Sequence, residues 1–65
     1  MTNAQILELK QTPANVKMLR QQFKLTQQQL ATASGIDPAA IIHAEFDISP
    51  LTDEQWKQLI STCQD

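Results

Sequence analysis

The tightest constraint on this chain is the order of start and stop signals between Thr26 and Pro38. Thr26 is followed three residues later by Gln29, the pairing of a hydroxyl and a glutamine that caps a helix start from both sides. Leu30 and Ala31 then face inward. Gly35 is the only glycine in the chain. It stands where a helix needs a left-handed residue to end. Asp37-Pro38 begins the next helix, with a carboxylate as cap and a proline at the first helical position, where its missing N–H costs nothing. The signals predict helices over 27–34 and 38–46 joined by a turn with no room for other structure.

The same grammar recurs along the chain. Thr12-Pro13 predicts a helix over 13–23, with Val16, Leu19, Phe23 and Leu25 inward and Met18 at the edge. Thr52 and Gln55 form a second capping box, with Asp53 and Glu54 favourably placed in the first turn. They predict a helix over 53–63 that buries Trp56, Leu59, Ile60 and Cys63. Thr2 and Gln5 form a third box at the head of a helix over 3–10, whose narrow stripe of Ile6 and Leu9 is too short to be stable unless it docks. Ile36, Ile41 and Ala44 complete the expected core. The apolar groups around Ile41-Ile42 and Phe46-Asp47-Ile48 lack hairpin turns, so the expectation is an all-α domain. Asp47-Ile48-Ser49-Pro50 is a connection.

Sixty-five residues build one core and leave no room for a deep substrate cleft. The single Cys63 excludes an internal disulfide and a multi-cysteine zinc site, and suits a reducing compartment. No apolar run reaches membrane length and no signal-peptide core follows Met1. The expectation is a cytoplasmic protein with no membrane contact. His43, Cys63 and the carboxylates lack ligand spacing, so neither a metal nor a cofactor is expected. Cys63 has no nearby base, and Asp53 and Glu54 read as helix-start residues. No catalytic residue is assigned, and an enzyme is not expected.

Net charge is −2, but its distribution is uneven. Up to Lys24 the chain carries Lys10, Lys17, Arg20 and Lys24 against Glu8 alone. Beyond it, Lys57 stands against Asp37, Glu45, Asp47, Asp53, Glu54 and Asp65. Any phosphate-facing charge comes mostly from the N-terminal third.

The run Leu19-Arg20, Leu25-Thr26-Gln27-Gln28-Gln29-Leu30-Ala31, Gly35-Ile36-Asp37, Ile41 and Glu45 resembles the Cro/repressor-like (XRE-type) helix-turn-helix family. The prefix Thr12-Pro13-Ala14-Asn15-Val16 resembles the start of small members. The similarity covers about residues 12–60. It implies a lambda-repressor-like bundle of four or five helices, with the helix-turn-helix at 26–46 inside a domain over 12–65. Residues 1–11 are then an N-terminal extension, expected as a short docking helix.

The resemblance also implies roles for particular residues. Gln27 matches the glutamine that opens the family's second helix and binds a phosphate, where free N–H groups favour an anion. Gln28 lies beside it, and Lys17 and Lys24 are candidate backbone contacts. Lys24 stands where relatives often carry glycine, and a left-handed lysine would cost roughly 1 kcal/mol. Arg20 and Glu45 match a structural ion pair that ties two helices together. The recognition-helix positions fall on Pro38, Ala39, Ala40, Ile42 and His43, where relatives usually carry more polar residues. Alanine touches thymine methyls without hydrogen bonding, and His43 is the one polar reader, with a guanine edge, a phosphate or plain solvent as its possible neighbours.

Two functions follow as expectations. The first is a sequence-specific transcriptional regulator of phage or mobile-element type, a repressor acting as a homodimer on a double-stranded DNA operator. The extra C-terminal helix that relatives use for dimerisation is missing here, so residues 1–11 or 48–60 are expected to serve. The second is a protein-interaction module or antirepressor that binds a protein partner through the Ile42 patch instead of DNA.

Overall fold

The computed structural model describes residues 2–64. Five helices follow one another: α1 (Asn3–Glu8), α2 (Pro13–Gln22), α3 (Gln27–Ser34), α4 (Pro38–Glu45) and α5 (Asp53–Thr62). The described residues contain no strand. They form the all-α domain that the periodicity predicts.

Each helix starts at its predicted cap. Thr2, Thr12, Thr26 and Thr52 each accept the backbone N–H three residues on, and Asp37 accepts from Ala39. All three capping boxes are closed in both directions. The helix ends depend on left-handed residues. Gly35 stops α3 at φ 74°. Lys24 stops α2 at φ 57°, with Leu25 N–H bonded to the Arg20 carbonyl and Lys24 N–H to that of Gln21. Those two bonds are the Schellman pattern. Asp47 repeats the geometry after α4 at φ 57°, with Ile48 N–H on the His43 carbonyl at 2.9 Å.

One expectation is corrected. Helix α1 ends at Glu8, not at residue 10, because Leu9 turns extended at ψ 137°. The residues that follow are held in other ways. The Lys10 carbonyl accepts from the Asn15 side-chain amide at 2.8 Å, and the Gln11 side chain reaches Leu51. Thr12, ahead of Pro13, is also barred from helical geometry.

Ile6, Val16, Leu19, Leu30, Ile41, Leu59 and Cys63 are fully buried, with Ala31, Ile36, Ala44, Leu51 and Ile60 nearly so. Phe23, Leu25, Leu9 and Trp56 pack against this core while staying partly exposed. Ile6 therefore docks α1 onto the body of the domain. Leu51, at the end of the connection, is a core residue that its setting among turn residues concealed.

A clamp closes the fold across 40 residues. The Gln11 amide oxygen accepts from Leu51 N–H at 2.6 Å, and its nitrogen donates to the Leu51 carbonyl at 3.1 Å. The side chain replaces a missing backbone neighbour for both polar groups of a buried residue. Gln11→Ala leaves them unpaired and is expected to cost about 1–3 kcal/mol, read from urea denaturation. A loss below a few tenths of a kcal/mol would mean that water substitutes freely there.

Burial pushes the Cys63 thiol above its ordinary pKa of 9.0. The folded state thus favours the neutral thiol. That contribution is complete below pH 9 and is lost as pH rises from the unfolded value through the higher folded one. The stability difference between the wild type and Cys63→Ala should be flat to about pH 9 and shrink above it. A difference that grows with alkalinity contradicts this.

Candidate nucleic-acid interface

A side chain from α2 ties α4 to the turn that leads into α3. The Arg20 guanidinium grips Glu45 through two bonds, Nε to Oε2 at 2.9 Å and Nη2 to Oε1 at 3.0 Å. Its Nη1 donates to the Leu25 carbonyl at 2.9 Å. The Glu45 side chain is 3% exposed and that of Arg20 15%. One planar group therefore connects the last turn of α2, the residue before the α3 cap and the last residue of α4. No buried side-chain nitrogen or oxygen among the described residues lacks a partner.

This lock presents the start of α3 and one face of α4 to solvent. Gln27 is the first residue of α3 and is half-buried; Gln28 follows, exposed. Their N–H groups lie in the first turn, where a helix offers no acceptor of its own and its dipole is positive. Lys17 on α2 and Lys24 after it are exposed.

On α4, Ile41 and Ala44 point into the core while Ala39 and His43 are exposed and Ile42 is 37% exposed. Pro38 and Ala40 are half-buried, Ala40 against the core. The side chains that meet solvent here offer methyl groups and one imidazole.

Two troughs flank α4. One, of about 480 Å³, runs along α3 and the turn past Gln28, Thr32, Ile36, Asp37 and Pro38. The other, of about 400 Å³, lies towards α5 and brings Ala39, Ala40 and His43 beside Ser49, Thr52 and Gln55. Gln28 and Pro38 thus share one trough, and the remaining α4 positions except Ile42 share the other. Lys17, Lys24 and Gln27 line neither. Asp37 borders both, its carboxylate held 2.9 Å from the Ala39 N–H.

Ser49, Thr52 and Gln55 escape a sequence reading, because the capping box explains the last two by itself. Their amide and hydroxyl groups nevertheless stand beside His43. Among the described residues no group of three His, Cys, Asp or Glu could hold a metal ion. None of their helices is long and apolar enough to cross a membrane.

No curated protein and no solved structure matches the chain. A helix-turn-helix family model matches residues 16–64. The matched span runs from the middle of α2 to just past α5, and so contains the lock, the turn and both troughs. Domains of this family are DNA-binding, and the families built on them are generally non-enzymatic. With most of its length inside the match, and with α3, the Gly35 turn and α4 in the required order, the chain belongs to the Cro/repressor-type (XRE) helix-turn-helix family.

Proposed function

We propose that the protein is a sequence-specific transcriptional regulator, a repressor of phage or mobile-element type that binds a palindromic operator as a homodimer. The observation that carries this reading is the Arg20–Glu45 lock, which ties α4 to α2 and, through the Leu25 carbonyl, to the turn that leads into α3. A reading helix needs such a fixed relation to the backbone-binding helix.

In this reading the domain spans 12–65, with the helix-turn-helix at 26–46 and residues 1–11 as an extension; positions 1 and 65 lie outside the described residues. Gln27 and Gln28 bind a phosphate through side chains and free N–H groups, and Lys17 and Lys24 contact the backbone on either side. Pro38, Ala39, Ala40 and Ile42 lay an apolar face against thymine methyls, and His43 donates to a guanine edge or a phosphate. So few polar readers leave much of the discrimination to the shape and stiffness of the duplex.

Selection from a random duplex library on purified protein, at low and physiological salt, tests the reading. The expected product is a palindrome with half-sites about one helical turn apart. No enrichment at either salt overturns it.

A second reading rests on the exposed Ile42 and the net charge of −2. Here α4 binds a protein partner, as an antirepressor does, and DNA is not the ligand. Ile42→Glu would then abolish the contact. DNA affinity that falls steeply with added salt favours the first reading over this one.

A further inference from the structure

Besides Ile42, three large apolar side chains stand in solvent: Leu7 at 64% exposure, Phe46 at 68% and Ile48 at 68%. They fall at two places. Phe46 and Ile48 flank the left-handed Asp47 at the exit of α4. The Ile48 and Ser49 N–H groups both bond to the His43 carbonyl, so this segment is pinned to the helix end. It forms an apolar knob with a carboxylate in its middle. Leu7 belongs instead to an open groove of about 360 Å³ between α1 and α5, lined also by Trp56, Lys57, Ile60, Ser61 and Gln64.

We propose that a second copy of this chain covers both features. Phe46 and Ile48 of one copy seat in the Leu7–Trp56–Ile60 groove of the other, Asp47 meets Lys57, and the reciprocal contact closes a two-fold pair. This deepens the homodimer in the reading above and rests on it.

Three observations favour that occupant. The knob carries a negative charge and the groove a positive one, and neither Asp47 nor Lys57 has an ion-pair partner among the described residues. The groove offers an indole to receive a phenyl ring, a pairing common at the centres of stable interfaces. Symmetry also favours reciprocity. A two-fold dimer repeats each contact, so one such arrangement covers the knob and the groove of both copies. A knob set against its own copy fits less well. It would bring two like-charged Asp47 carboxylates together.

Sedimentation equilibrium of the full chain, from low micromolar to millimolar concentration, tests the proposal. The wild type should dimerise. Phe46→Ser should raise the dissociation constant at least about tenfold without unfolding the domain, because its ring lies mostly in water. Asp47→Lys and Lys57→Asp should each weaken association, and the double variant should restore it. Lys24 already holds lysine at the same φ of 57°, so the backbone at Asp47 accepts that replacement.

A wild type that stays monomeric at millimolar concentration overturns the proposal. So does a charge pair in which Asp47→Lys tightens association while Lys57→Asp leaves it unchanged, the signature of knob against knob. The library selection separates the two readings. An enriched palindrome with association indifferent to both charge changes sinks this interface and spares the operator. Association that follows the charge exchange, with no enriched DNA, sinks the operator and spares the interface.

Discussion

Arg20→Ala should destabilise the domain by about 3–5 kcal/mol, the cost of stranding one partner of a buried ion pair. Glu45 is the reason. Its side chain is 3% exposed, and both its oxygens are satisfied by the guanidinium. Without Arg20 the carboxylate is left desolvated and unpaired, and the Leu25 carbonyl loses its donor too. A domain of this size has on the order of 3–10 kcal/mol of stability in total, so the variant should be largely unfolded at moderate temperature. The fluorescence of the single Trp56 reports this during urea denaturation. The double variant Arg20→Met/Glu45→Leu should recover most of the loss, since apolar replacement of a buried pair is often near neutral. A loss below about 1 kcal/mol for Arg20→Ala would place the pair with ordinary surface ion pairs.

Gln27→Glu is expected to move stability and DNA binding in opposite directions. An acidic side chain at the first position of α3 meets the positive end of the helix dipole and should stabilise the fold by about 0.3–1 kcal/mol. The same charge would face the phosphate proposed to bind there. Affinity for duplex DNA should fall at least about tenfold at low salt, which is roughly 1.4 kcal/mol, and the deficit should narrow as salt screens the repulsion. Gln27→Ala serves as the neutral control. Thermal melts give the first effect and fluorescence-anisotropy titrations the second. A more stable variant with unchanged DNA affinity would remove the start of α3 from the phosphate backbone.

Much of this fold can be read from four-residue windows. Thr2, Thr12, Thr26, Asp37 and Thr52 announce helix starts because a cap and the N–H it accepts from are sequence neighbours, and Gly35 announces a stop because no other residue takes its backbone angle so readily. What long separation creates is hidden. Gln11 and Leu51 lie 40 residues apart, and nothing in either neighbourhood signals their mutual bonds. The extended segment after α1 is held partly by the same clamp, and that part is equally hidden. Arg20 and Glu45 lie 25 apart and emerge from the resemblance, not from spacing. Phe46 and Ile48 have the composition of core residues. Only the left-handed Asp47 between them, which turns the chain at the end of α4, leaves both in solvent.

Helix α1 is six residues long, and Ile6 is its one buried side chain. So short a segment has little helical stability of its own, and a single anchor gives it a lower opening energy than α2–α5, which share the continuous core. The domain therefore contains a detachable clasp. Opening the clasp would lift Ile6 from its seat and Leu7 from the groove against Trp56, and neither residue bonds to the Arg20 lock. Whatever lies before Asn3, or binds to it, can tune that opening without touching the helices proposed to meet DNA.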